Sequence, residues 1–158
     1  MSTAIIFRSK HGTTEKVVNY VASKLSDPNV EIINLKEHAH PKIDSFDTLL
    51  IGGSIHFGGL QKHLIKFCAH NKNKLLGKRI GLFLCCMYNG ERAQKQFEEV
   101  YPEVLRKHST SNGLLGGEFL FEKMNFLEKK IVQKVVGISK SQSKIDYKAI
   151  DEFTNGFN

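Results

Sequence analysis

The sequence predicts an α/β fold: five parallel strands in the order 2-1-3-4-5, held between two layers of helices. Three observations carry this. Short apolar runs alternate with stretches of helical periodicity along the chain, the pattern of repeated strand–helix crossovers. Two runs, Asp47–Gly53 and Arg79–Cys86, are nearly continuous in apolar character, as strands covered on both faces are. Glycines and hydroxyl residues gather just after the runs, where ligands bind in sheets of this order.

Each element has its own signal. Thr3–Phe7 reads as the first strand, and Thr14–Leu25 as a helix with Val17, Val18, Val21, Ala22 and Leu25 on one face. Asp27-Pro28-Asn29 turns the chain into the second strand, Val30–Leu35. Asp47–Gly53 is the third strand, Leu60–Ala69 returns to helical spacing, and Arg79–Cys86 is the fourth strand. Ala93–Leu105 is helical, with Pro102 kinking or restarting it. Gly113–Phe121 reads as the fifth strand, with a bulge or break at Gly116-Gly117. Met124–Val136 is a helix with Leu127, Ile131, Val132, Val135 and Val136 on one side. Tyr147, Ile150 and Phe153 mark a short closing helix. No repeat or linker divides the chain, and its 158 residues are expected to form one domain, 1–158.

Composition narrows the functional classes. The three cysteines, Cys68, Cys85 and Cys86, fit neither a disulfide framework nor a zinc site, which points to a reducing compartment. The adjacent pair Cys85-Cys86 reads as small core residues. No signal pattern opens the chain, and its longest apolar run falls far short of the roughly 20 residues of a membrane span. A cytoplasmic protein is expected, at most peripheral to the inner face of the cell membrane. A net charge of +7 favours acidic partners or anionic surfaces, but no nucleic-acid-binding motif accompanies it.

Three loops at strand ends are the candidate site. The first, Ser9-Lys10-His11-Gly12-Thr13-Thr14, combines a glycine for a tight turn with hydroxyl donors and a helix start. It cradles a phosphate or is simply a Thr-capped helix. It is neither a P-loop nor a G-x-G-x-x-G turn. The second is Ser54-Ile55-His56-Phe57-Gly58, bracketed by glycine pairs that let a flat ligand approach; Phe57 offers a ring face and His56 a donor. The third is Met87-Tyr88-Asn89-Gly90, where Tyr88 supplies a second ring. A phospho-accepting receiver domain is excluded, because Phe7-Arg8 and Gly52-Gly53-Ser54 stand where its acidic residues are needed.

These residues resemble the flavodoxins. "SKHGTT" is similar to their phosphate signature, with Ser9, Gly12 and Thr14 matching and His11 replacing an inner hydroxyl residue. A narrower similarity is to the flavodoxin-like, quinone-dependent protoporphyrinogen oxidases of the HemG type. "DTLLIGGSIHFGGLQKHLIKF" and "GLLGGEFLF" carry it, followed by a basic amphipathic helix. His56 stands where those oxidases carry Arg, and Phe57 where they carry Tyr. The resemblance implies a flavodoxin-like three-layer sandwich binding FMN. Its phosphate would lie on Ser9–Thr14 and its ring between Ser54–Gly59 and Met87–Glu91.

The function implied is an FMN-dependent oxidoreductase passing electrons from a reduced substrate, such as protoporphyrinogen, to a quinone. The alternatives are a non-enzymatic electron carrier between redox proteins and an FMN-free interaction domain. Flavodoxin carriers are acidic, which suits basic reductases; a chain at +7 would repel such partners. Between Lys123 and Lys148 lie seven lysines against two acids, Glu128 and Asp146, beside an apolar stripe. That region either rests on an anionic membrane holding quinone or packs its stripe on the sheet and leaves the lysines solvated.

Overall fold

The computed structural model describes residues 1–10, 12–55, 62–137 and 139–158, the side chain of Val136 apart. Strands β1 (Thr3–Arg8), β2 (Val30–Asn34), β3 (Thr48–Ser54), β4 (Arg79–Cys85) and β5 (Ser111–Leu114) form one parallel sheet in the order β2-β1-β3-β4-β5. The predicted order is the observed one. β3 is buried along its whole length, and β4 everywhere except Arg79. Two-sided burial leaves no polar face, which is why both runs lack alternation.

Helices cover both faces. Helix α1 (Thr13–Lys24) and helix α7 (Tyr147–Asn155) pack on one face, where Val17, Val18 and Val21 meet Ile150, Phe153 and Phe157 over Ile5, Leu50 and Phe83. The other face carries α2 (Lys62–His70), α3 (Lys72–Leu76), α4 (Gly90–Val100) and α5 (Glu103–His108). Leu64, Phe67, Leu75, Phe97, Tyr101 and Leu105 fill the layer between them and the sheet. Tyr101 is fully buried; its hydroxyl donates to the Phe83 carbonyl at 2.6 Å, with the Ile51 carbonyl at 3.1 Å, so it is not left unpaired in the core. Pro102 acts as a restart: α4 ends at Val100 and α5 begins at Glu103.

The predicted fifth strand, Gly113–Phe121, is corrected by the structure. The sheet strand β5 ends at Leu114, and Gly116–Phe119 forms a separate strand, β6, that leaves the sheet. It pairs antiparallel with β7 (Gln142–Ile145). Gly116 makes the departure possible. Its φ is +74°, and a Cβ there would stand 1.9 Å from the Lys144 carbonyl oxygen. A short 3₁₀ turn (Phe121–Lys123) and helix α6 (Phe126–Val136) lie between β6 and β7. This excursion has a small core of its own, Phe121, Met124 and Val132, with Phe119 against it.

The stripe on α6 does not pack on the sheet, which removes that reading of it. Val132 is buried, but Leu127, Ile131 and Val135 expose 67, 36 and 61% of their surface, and Phe126 exposes 72%. Among the described residues, no helix is long and apolar enough to cross a membrane.

Candidate functional site

The turns after β1, β3 and β4 meet at the carboxyl edge of the sheet, because parallel strands end together on one side. In the first turn, Gly12 is the N-cap of α1 with φ +91°, a left-handed conformation that favours glycine. Its N–H donates to Ser9 Oγ at 3.1 Å, so Ser9 holds the turn closed. Among the described residues no side chain caps the helix, which sets aside the Thr-capped reading: Thr13 and Thr14 lie within the first turn of α1. Both are buried. Thr14 Oγ1 makes no hydrogen bond to oxygen or nitrogen among the described residues. Its polar company is the Cys85 thiol, a weak partner that burial pushes up to about 12 against a smaller lowering by the Thr14 hydroxyl. Lys10 is exposed, and His11 lies outside the described residues.

The excursion reaches across to this turn. Lys10 Nζ pairs with Glu128. Lys16 Nζ pairs with Glu118 at 3.2 Å, and Thr13 Oγ1 donates to the same carboxylate at 3.3 Å. Glu128 also closes a capping box with Asn125 at the start of α6, which fixes where that helix begins. Lys123 Nζ lies 3.2 Å from where a Cβ on Gly12 would be.

In the second loop, Ser54 is buried at the end of β3, and the Ile55 N–H donates to the Cys85 carbonyl at 3.1 Å, tying this loop to the third. Gly52, just before it, makes room for a core ring: a Cβ there would fall 2.1 Å from Phe83. His56, Phe57 and Gly58 lie outside the described residues. In the third loop, Met87 and Tyr88 are half-buried, while Asn89 and Gly90 are exposed at the start of α4. The Arg92 guanidinium stacks 3.5 Å from the Tyr88 ring centroid. Gly117 of the excursion passes the third loop closely, a Cβ there meeting the Cys86 backbone at 3.0 Å.

All three cysteines are buried and free, as core residues should be. Burial raises their thiols, Cys68 to about 12. The structure therefore brings Ser9, Lys10, Gly12, Thr13, Thr14, Ser54, Ile55, Met87, Tyr88, Asn89 and Gly90 to one edge. It adds Arg92, Glu118 and Lys123, which sequence reasoning missed. Arg92 follows Tyr88 at the i+4 spacing that a search for ring–cation pairs would have found. Glu118 and Lys123 arrive through contacts over a hundred residues long, for which one sequence holds no local signal.

A parallel 2-1-3-4-5 sheet with a glycine-capped, hydroxyl-lined turn after its first strand defines a flavodoxin-fold protein. The chain belongs to the flavodoxin domain family, whose profile matches residues 4–146. FMN is the cofactor of that family, which carries electrons. Over 77 residues, 48% of this chain, it is 26% identical to the protoporphyrinogen IX dehydrogenase (quinone) of Escherichia coli; the match spans 42% of that relative's length. Among solved structures it is similar to the WrbA-like flavodoxin of Agrobacterium tumefaciens. That pair has TM-score 0.56 and 12% identity, covering 98% of this chain and 92% of that one. A short-chain flavodoxin associated with a bacterial microcompartment gives TM-score 0.55 at 13% identity, covering 99% and 96%. At such identities the likeness is one of fold.

The described residues fit a phosphate-bearing group at the first turn. A buried hydroxyl lacks an oxygen or nitrogen partner, glycine leaves space beside the backbone, and an ammonium group stands over that space.

Proposed function

We propose that this chain is an FMN-dependent oxidoreductase of the protoporphyrinogen dehydrogenase type, moving electrons from a reduced substrate to a quinone at a membrane surface. Ser9, Lys10, His11, Gly12, Thr13 and Thr14 form the turn that holds the phosphate, with the Lys10 charge offset by Glu128. Ser54, Ile55, His56, Phe57 and Gly58 on one side, and Met87, Tyr88, Asn89 and Gly90 on the other, hold the ring. Bound FMN supplies the redox chemistry; the chain supplies the anchor and the orientation. Arg92, stacked on Tyr88, fixes the plane of that ring and adds positive charge beside the site.

The observation that carries the reading beyond flavin binding is the exposed face of α6. Leu127, Ile131 and Val135 recur at i, i+4 and i+8, so they line one stripe, and Lys130 and Lys134 form the row beside it. Lys130 Nζ sits 4.6 Å from the Phe126 ring centroid. An apolar stripe edged with lysines suits the headgroup region of an anionic bilayer, where quinone is dissolved. The similarity to the E. coli quinone-linked dehydrogenase supports the same choice.

A second reading, a non-enzymatic FMN carrier between redox proteins, is favoured by one observation. Among the described loop residues, Ser9, Lys10, Gly12, Thr13, Thr14, Ser54, Ile55, Met87, Tyr88, Asn89 and Gly90, none is a carboxylate or an imidazole able to act as acid or base; the two imidazoles of these loops, His11 and His56, lie outside the described residues. Turnover separates the two. FMN-loaded protein given protoporphyrinogen and menaquinone is expected to reduce the quinone catalytically. Rapid electron exchange with a flavodoxin reductase, without quinone turnover, would establish the carrier instead.

A further inference from the structure

We infer that Lys123 is a ligand of the cofactor phosphate, carried to the first turn by the excursion between β5 and α7. The inference rests on the FMN reading above and adds a residue to it. Among the described residues, three ammonium groups lie on or reach this turn. The two that are local in sequence are already engaged: Lys10 is held by Glu128 and Lys16 by Glu118. The Lys123 backbone N–H donates to the Leu120 carbonyl, but its ammonium makes no hydrogen bond or ion pair among the described residues. Yet its Nζ stands over Gly12, at 3.2 Å from the place a side chain would begin.

That position is unfavourable for a cation alone. The first turn of α1 presents unpaired N–H groups and the positive end of the helix dipole, and a third positive charge beside them is repelled. An anion between the two reverses the sign of every interaction, accepting from the N–H groups on one side and from the ammonium on the other. The Thr14 hydroxyl, fully buried at the same turn, has among the described residues no oxygen or nitrogen partner and only the weak Cys85 thiol for polar company, which makes it a second group available to that anion.

Glu118 and Glu128 make the arrangement selective. Each carboxylate neutralises one flanking lysine and joins the excursion to the turn, so the excursion is positioned before any ligand arrives. The 3₁₀ turn that carries Lys123 follows β6 directly, so the Glu118 contact also places Lys123. Gly12 is then required twice, for its positive φ and for the space the ammonium occupies.

The test compares FMN with riboflavin, which differ by the phosphate alone, in flavin-fluorescence titrations of the full chain. Lys123→Gln is expected to weaken FMN about tenfold or more, the worth of a charge-assisted hydrogen bond, and to leave riboflavin unchanged. Lys134→Gln, on the same excursion but on the exposed row of α6, is expected to leave both unchanged. If wild type prefers FMN to riboflavin and Lys123→Gln keeps that preference in full, the inference is overturned and the cofactor reading stands. If wild type binds FMN no better than riboflavin, the phosphate-turn reading fails and the inference falls with it.

Discussion

The exposed face of α6 gives the most quantitative prediction. In the double variant Leu127→Glu with Ile131→Glu, two members of the stripe become anions. The two side chains expose 67 and 36% of their surface, so full transfer into a bilayer interface is worth about 2 kcal/mol for the pair, at about 2 kcal/mol per wholly transferred side chain. Each new carboxylate is repelled by anionic lipid by about 1 kcal/mol, the mirror of what a lysine gains there. The total, about 4 kcal/mol, corresponds to roughly a thousandfold loss of affinity. Sedimentation with phosphatidylglycerol vesicles measures it directly, with phosphatidylcholine vesicles as the neutral control. Leu127 faces solvent, whereas Ile131 keeps about two-thirds of its surface covered, so the double variant should lower thermal stability by about 1–2 kcal/mol, less than the loss in vesicle binding. A wild-type chain that ignores anionic vesicles, or a double variant that binds them as wild type does, would refute the membrane reading.

Other perturbations test other parts of the structure. Gly116→Ala places a Cβ 1.9 Å from the Lys144 carbonyl at a positive φ, so it should unpair β6 from β7 and cost about 2 kcal/mol or more. A thermal melt reads the loss, and hydrogen exchange places it at residues 116–119 and 142–145. Thr14→Ala removes a buried hydroxyl that lacks an oxygen or nitrogen partner, so thermal stability without flavin should hold or rise slightly while FMN affinity falls. Loss of both together would contradict the assignment. Burial raises the Cys68 and Cys85 thiols from 9.0 to about 12, so the unfolded chain loses these protons first as pH rises. Their contribution to stability is complete below pH 9 and declines between about 9 and 12, which urea melts across that range would show.

What the sequence revealed and what it hid divide along the range of the contacts involved. The sheet order was legible because each of the five strands announces itself locally and the crossover rule leaves few arrangements. The two fully buried strands were the clearest, since burial on both faces removes polar residues from the run itself. The first turn was legible as a ligand site because glycine, hydroxyls and a helix start are neighbours in sequence. Its bland alternative fell only to geometry: Gly12, not a threonine, occupies the cap.

The excursion was hidden. Gln142–Ile145 is a short polar strand whose partner lies 25 residues earlier, so no periodicity marks it. The double glycine signalled a break, but not that the chain would leave the sheet there. Helix α3 is a single turn and a half, too short for a periodic signal. The stripe on α6 has the same spacing whether it packs on a sheet or faces outward; only its neighbours decide, and the sequence does not contain them.

The proposed function depends on flavin held by the turn after β1, and one measurement addresses that directly. After incubation with FMN and desalting, the purified chain should be yellow and retain one flavin per molecule in its visible absorption spectrum. A chain that emerges colourless from the same treatment would contradict the cofactor site, and with it the oxidoreductase built on that site.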